Sequence, residues 1–489
     1  MKKIISLITI FILSLGLFAC VIKPLDEDPP VKVREGEVLI SMYSLNDLHG
    51  AIFEENGEPG IAKISTYIKD KRAKNEEGTL VFSSGDMFQG TAVSSLTKGR
   101  IVVDAMNEIG FDAMSIGNHE FDWGVSEIEK FLDKDETNTE MNFPLLGANI
   151  VEKATGDAVS FTEPYTILEK AGLKIGVIGA IGDYQETSIL TSIVAPYEFT
   201  DTYAALLKYT KILRLDEECD LVIALVHDDT SNLNEQLASL TGNERIDAIF
   251  NGHTHWYYAY EESRDGDVAL PVVQSGSNGN YVGEINLTYN YDSKKVVSVS
   301  AENVNIAFRT DDIDDDPKII EIFENYQSFI DIANESFGTA GMTIYKDDFT
   351  QWAARALQEE NRADVSFFNS DRIRSGFPLY VDSEVTYGSI FKMMPFDNKI
   401  VITYLSGAQI KAQLDNLVSH VKDLVSHVKD GLELEDDEIY KVATIDYVYE
   451  KTSYRLQEGT DTVLSDILFR DKLVEAVKSN IDKNGNWII

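Results

Sequence analysis

Cysteine is nearly absent from this 489-residue chain, which holds only Cys20 and Cys219. A chain with so few thiols has no disulfide framework, so its stability has to come from packing. Cys219 follows Glu217 and Glu218, which raise a thiol pKa, and no chemistry is assigned to it. Basic residues are scarce as well, 43 Lys and Arg against 82 Asp and Glu, for a formal charge of -39. That imbalance repels polyanions and excludes a broad face for nucleic-acid polymers. It also opposes any small phosphate-bearing molecule, unless bound cations and a few placed arginines reverse the field locally. Beyond the apolar run Ile4 to Phe18 no stretch of 18 or more apolar residues occurs, which excludes a membrane-spanning helix in the body of the chain.

The N-terminal run is a targeting signal. Lys2 and Lys3 precede it, and Leu17-Phe18-Ala19-Cys20 reads as a bacterial lipobox. The expectation is a lipoprotein signal peptide over residues 1–19, cleavage before Cys20, and a lipid on its thiol that anchors an exported protein at the extracellular face of the cell membrane. Residues 20–36, rich in Pro, Asp, Glu and Lys, read as a tether.

Histidine is rare too, with seven in all, and its distribution is informative. Five of them, His49, His119, His227, His253 and His255, fall in four short motifs, each after an apolar segment that reads as a strand. Val38 to Leu45 delivers Asn46-Asp47-Leu48-His49-Gly50, and Thr79 to Ser84 delivers Gly85-Asp86. Phe111 to Ile116 delivers Gly117-Asn118-His119-Glu120-Phe121-Asp122. Leu221 to Val226 delivers His227, and Ile246 to Phe250 delivers Gly252-His253-Thr254-His255. Helical patterns lie between, with a face at Ile61, Ile64 and Ile68 and segments at about Val93 to Ile109 and Tyr203 to Glu218. Strand, loop ligand and helix repeat, and α/β folds gather their sites beyond strand C-terminal ends.

Leu270 to Ile306 reads as meandering β-structure that closes this first domain, over residues 37–310. The acidic run Asp311 to Asp316 reads as a solvated boundary. A linker helix over Ile319 to Ala333 follows within residues 311–337, and a smaller mixed domain occupies 338–489. In that second domain Leu417-Val418-Ser419-His420-Val421-Lys422-Asp423 recurs unchanged as Leu424 to Asp430. Seven residues are two helical turns, so the duplication is expected to lengthen the helix that begins at Gly407 while keeping its face.

Converging loops of this composition make a two-cation site. Asp86 has two carboxylate oxygens and can bridge. Asp47, His49 and one of the last two histidines would complete one metal, and Asn118, His227 and the other histidine the second. Asp, Asn and His donors without thiolate suit Zn, Mn, Fe, Co or Mg. Two divalent cations clamp a phosphoryl group and make water nucleophilic near neutral pH. His119 is not needed as a ligand. It is placed to donate to charge developing on phosphoryl or leaving-group oxygen, and Asp122 to hold its other ring nitrogen.

These motifs, in this order and spacing, resemble the calcineurin-like metallophosphoesterases of the 5'-nucleotidase and UDP-sugar hydrolase group. The resemblance implies a four-layer β-sandwich flanked by helices, joined through a linker helix to a smaller α/β substrate-binding domain. It implies Asp47, His49, Asp86 and His255 at one metal, Asp86, Asn118, His227 and His253 at the other, and a catalytic His119-Asp122 dyad. Substrate contacts are implied at Asn118, at Asn369 and Arg374 of Asn369-Ser370-Asp371-Arg372-Ile373-Arg374, at Phe396 of Pro395-Phe396-Asp397-Asn398, and at Tyr447. The second domain departs from the pattern where glycines give way to Asp371, Arg372 and Asp397, and where Glu450-Lys451-Thr452-Ser453 replaces a Gly-Gly-Asp-Gly run. An expected phosphate-binding arginine is missing near Tyr345-Lys346-Asp347-Asp348, and Arg372 is the candidate replacement. The implied function is hydrolysis of nucleotide phosphate esters or anhydrides. 2',3'-Cyclic nucleotide phosphodiesterase and UDP-sugar hydrolase activity are the alternatives within the same chemistry, and a non-catalytic surface-binding lipoprotein is the alternative outside it.

Overall fold

The computed structural model describes residues 34–55, 57–135, 137–228, 231–370, 373, 376–419 and 424–489. The signal peptide and lipobox lie outside them. Among the described residues no helix is long and apolar enough to cross a membrane.

Two six-stranded sheets form the first domain. One runs in the order Lys295–Asn305, Tyr281–Asn290, Glu37–Leu45, Thr79–Ser83, Ala113–Ser115, Leu145–Leu146. The other runs Tyr257–Glu262, Leu270–Ser275, Ala248–Gly252, Leu221–His227, Leu173–Ile181, Tyr165–Lys170. The central strands of each sheet pair in parallel. They are apolar along their length because both faces are covered. Between the sheets Ile40, Met42, Leu80 and Phe82 meet Ile223, Leu225 and Phe250, and the Phe82 and Phe250 rings lie 5.9 Å apart. Outside the first sheet the helices Gly60–Lys74 and Arg100–Ile109 bury Ile61, Ile64, Ile68, Ile101 and Met106. Outside the second, Thr202–Leu215 and Ser231–Ala238 cover Ile178, Val222 and Ala224. The result is helix, sheet, sheet, helix.

The second domain has its own apolar core, drawn from Ala340 onward. Its five-stranded sheet runs Leu424–Val428, Val365–Asn369, Ile439–Ile445, Lys399–Ser406, Thr460–Leu468. The helices Lys346–Glu360 and Phe469–Ser479 pack in the same core.

Local structure differs from the sequence expectations in four places. The helix expected over Val93 to Ile109 is two helices, Ala92–Leu96 and Arg100–Ile109, because Gly99 at φ +81 turns the chain between them. The linker helix is likewise two pieces, Pro317–Asn325 and Gln327–Ala333. Tyr326 at the break donates its hydroxyl to Asp104 at 2.6 Å. The acidic boundary is not wholly solvated. Asp316 caps Pro317–Asn325 and takes Lys69 Nζ at 2.7 Å, and Asp315 lies 3.3 Å from Lys63. Finally, the duplicated heptad does not extend one helix. The described helix spans Gly407–Ser419, and the second copy forms the edge strand Leu424–Val428 against Val365–Asn369. Identical local propensities with different outcomes mean that pairing and burial of Leu424 decide.

Candidate active site

The parallel strands of both sheets end at one rim, where His227 closes the strand Leu221–His227 and the loops leaving the other strands carry Asp47, His49, Asp86, Asn118, His253 and His255. Five of these have backbone φ between 50 and 80 degrees: Asp47, His49, Asp86, His253 and His255. That left-handed region is sparsely populated by residues with a Cβ and is retained where surrounding structure enforces it. Two glycines let the loops approach. A Cβ on Gly85 would lie 2.8 Å from His227 Nδ1, and one on Gly117 would lie 2.3 Å from Asp86 Oδ1.

Electron-pair donors converge here. His49 Nε2 and His255 Nε2 are 2.9 Å apart, and both face Asp47 Oδ1, at 3.9 and 3.5 Å. His227 Nε2 lies 3.1 Å from Asp86 Oδ2 and 3.2 Å from Asn118 Oδ1, and His253 Nδ1 lies 3.0 Å from the same Asn118 oxygen. Asp47, His49 and His255 form one ligand group, and Asp86, His227 and His253 another. His49 also groups with Asp86 and His119. Nitrogens opposite nitrogens, and carboxylates between imidazoles, fit divalent cations.

The ring nitrogens that turn away from the cluster are anchored. His49 Nδ1 meets the Gln89 carbonyl at 2.9 Å, and His227 Nδ1 meets the Ser84 carbonyl at 2.7 Å. A carbonyl only accepts, so Nδ1 carries a proton in both rings, and Nε2 is the nitrogen turned toward the cluster. Burial pushes His49 down to about 3 and His253 down to about 4. Burial also works against a charged His227, but the Asp86 and Asp47 carboxylates raise it to about 10. Asp47 is raised to about 7, first by burial and then by the nearby Asp86 charge. Burial alone would raise Asp86 as well, yet His227 and His119 hold it well below the usual carboxylate range.

His119 stands beside this cluster. Its backbone N–H donates to Asp86 Oδ1 at 2.8 Å, and its Nδ1 lies 2.8 Å from Asp122 Oδ2. Three other residues of the motifs hold the loops, and the spacing argument assigned them nothing. Glu120 is fully buried and accepts the backbone N–H groups of Asp86, Met87 and Gly117 at 2.9, 2.9 and 2.8 Å. Asn46 Nδ2 donates to Asp47 Oδ2 at 2.6 Å, while its Oδ1 accepts from Ser275 N at 2.8 Å. Gln89 presents its carbonyl to His49 and donates its Nε2 to the Pro395 carbonyl of the second domain at 2.8 Å. Each sits within four residues of a proposed ligand, which is the only signal the sequence offers for it.

Above the cluster lies a cleft of about 470 Å³ between the domains. His49, Asp86, Asn118, His119, His253 and His255 line it from below, and Lys392, Phe396 and Tyr447 from the second domain. The Phe396 ring stacks on His119 with centroids 6.0 Å apart. Phe396 and Tyr447 are thus brought to the site. Asn369 is fully buried at the end of Val365–Asn369 and is not among the residues lining this cleft. Its strand pairs residue by residue with Leu424–Val428, which takes Asn369 into the sheet. Arg372 and Arg374 lie outside the described residues, so the arginines expected to meet phosphate are not placed.

Comparison with known proteins agrees with this architecture. Residues 43–257 match the calcineurin-like phosphoesterase family, and residues 332–429 match the 5'-nucleotidase C-terminal domain. A 5'-nucleotidase of Vibrio cholerae is 27% identical over 421 residues, covering 76% of this chain and 74% of that one. The endonuclease YhcR of Bacillus subtilis is 26% identical over 419 residues, 78% of this chain but only 33% of that longer protein. The crystal structure of a 5'-nucleotidase precursor from Thermus thermophilus superposes with a TM-score of 0.72 at 18% identity, over 90% of this chain and 96% of that one.

Proposed function

We propose, on the premise that this chain belongs to the calcineurin-like metallophosphoesterases with a 5'-nucleotidase C-terminal domain and is a phosphoric ester hydrolase, that it hydrolyses phosphate esters or anhydrides of nucleotides at a two-cation site. The observation that carries this reading is the facing pair His49 Nε2 and His255 Nε2 beside Asp47, next to the second group built on Asp86, His227 and His253.

The donor set fits divalent cations: hard oxygens and imidazoles, no thiolate, and ring nitrogens oriented by backbone carbonyls. Asp47, His49 and His255 would hold one cation, Asn118, His227 and His253 the other, with Asp86 shared. When bound, such cations supply Lewis-acid stabilisation of phosphoryl charge and a nucleophilic water near neutral pH. The protein's own groups do the rest. Asp122 accepts from His119 Nδ1 and fixes the ring, leaving Nε2 to donate a hydrogen bond to the phosphoryl or leaving-group oxygen as the P–O bond breaks. Phe396 and Tyr447 offer apolar faces at the cleft wall for a nucleobase. Arg374 is assigned to substrate phosphate, a role carried by the motif. The N-terminal signal and lipobox support the reading of an exported enzyme held by a lipid on Cys20.

The test is phosphate release from AMP, ATP, UDP-glucose, a cyclic nucleotide and a bis-aryl phosphate with added Mn or Zn, in the wild type and in Asp86→Asn. Release from nucleoside monophosphates, lost by at least about 100-fold in the variant, is expected. Activity confined to the diester would keep the metal chemistry and discard the nucleotide. No metal-dependent activity on any of them would leave the chain a surface-binding protein.

A further inference from the structure

Two stretches of the second domain that depart from the pattern they resemble both reach across to the first domain. Asp397 stands where the resembled Pro-Phe-Gly-Asn segment has glycine. Its Oδ2 accepts from Lys98 Nζ at 2.6 Å, and its Oδ1 accepts from Arg470 Nη2 at 2.5 Å. Lys98 belongs to the first domain and leaves the turn between Ala92–Leu96 and Arg100–Ile109 with φ 50, a backbone state few side chains occupy without cause. Its ammonium also lies 5.2 Å from the Trp123 ring centroid. Arg470 belongs to the second domain and is buried over the Phe391 ring. Its Nη1 donates to the Pro395 and Phe396 carbonyls at 3.1 and 3.2 Å.

The second departure behaves alike. In Glu450-Lys451-Thr452-Ser453 the Glu450 carboxylate accepts from Ser192 N at 3.2 Å. Lys451 Nζ donates to the Thr187 carbonyl at 3.1 Å while lying 4.8 Å from the Tyr447 ring centroid. Both aromatic residues assigned to the base are thus neighbours of a charged tie between the domains.

A carboxylate one residue from a phosphate-binding cleft would repel its substrate if it were bare. Burial works against the Asp397 charge, but Arg470 and Lys98 hold its carboxyl below the ordinary 3.8. Its charge is spent inside the protein, not presented to the cleft.

We propose that Asp397 is a positioning residue for the nucleoside part of the substrate: by bridging Arg470 and Lys98 it keeps the Phe396 ring at the cleft wall against His119. This rests on the nucleotide-phosphohydrolase reading of the cleft. Arg470 grips the Phe396 loop through its carbonyls, and the bridge couples that grip to the first domain. Glycine at 397 would leave the loop without this tie.

Lys98→Met is the decisive variant, because it leaves the Asp397–Arg470 pair inside the second domain intact. It is expected to raise KM for a nucleoside monophosphate by about fivefold or more with kcat little changed, and Lys98→Arg to restore it. In a Phe396→Ala background the same change should add less than about twofold, since effects routed through one partner are not additive. A KM unaffected by Lys98→Met, or an equal rise in the Phe396→Ala background, would overturn the proposal. If no nucleotide is hydrolysed, the functional reading fails, and small-angle X-ray scattering decides the tie separately. A larger radius of gyration in Lys98→Met than in the wild type supports it, and identical curves overturn it.

Discussion

His49 and His255 turn their Nε2 atoms toward each other across 2.9 Å, from loops more than two hundred residues apart in sequence. The Gln89 carbonyl accepts a hydrogen bond from His49 Nδ1–H, and burial holds that ring down to about 3, so its Nε2 presents an electron pair throughout the physiological range. An arrangement of this kind is stabilised by a cation. Adding Mn or Zn to chelator-treated protein at a hundred times its Kd should contribute about 2.7 kcal/mol, seen as a rise in unfolding midpoint of roughly 5–10 °C. A midpoint that no divalent cation moves would remove the basis of the site.

His119 and Asp122, joined at 2.8 Å, are assigned to proton donation and not to metal holding. His119→Ala should therefore lower kcat by about 10²–10⁴ while leaving the metal content measured by atomic emission unchanged. Loss of one equivalent of metal in that variant would move His119 into the ligand set, where it already groups with His49 and Asp86.

Glu120 holds three backbone N–H groups of the Asp86 and Asn118 loops from a fully buried position. Glu120→Ala strands three buried donors, each costing about 1–3 kcal/mol. Urea titration should show a loss of about 3 kcal/mol or more together with weakened metal binding. A variant as stable as the wild type would mean that those loops stand without it.

The Asp397 pair carries a defined pH signature. Arg470 and Lys98 hold the folded-state pKa below the unfolded 3.8, so the contribution of the pair is present above 3.8 and is lost as pH falls through the folded value. Wild type should exceed Asp397→Asn in stability by the same margin throughout the neutral range, and the margin should shrink below about pH 4. Denaturant titrations at neutral and acid pH measure it, and a margin that survives in acid would assign it to something other than the charge.

Much of the first domain can be read directly from the chain. Continuous apolar runs such as Leu221 to Val226 announce strands buried on both faces, and the proposed ligand residues sit immediately after them. The helix breaks were less legible. Gly99 lies inside a periodic pattern, and periodicity does not report where a left-handed turn interrupts it. The duplicated heptad was not legible at all, since Leu417 to Asp423 and Leu424 to Asp430 have the same sequence, yet one copy enters a helix and the other forms a strand. Asn369 shows a related limit in the site, because a motif position does not say how deeply its side chain is buried.

What the sequence by itself determined is the chemistry on offer: which donors exist, that they follow strands, and in what order they come, because those depend on residue type and local pattern. Tertiary structure alone decided which donors face one another, as when His49 meets His255, and which charges serve substrate and which serve the fold, as when Asp397 is taken by Lys98 and Arg470. Pairing across hundreds of residues depends on how two sheets and two domains pack. That packing is a sum of many weak burial contacts that no local stretch of sequence contains.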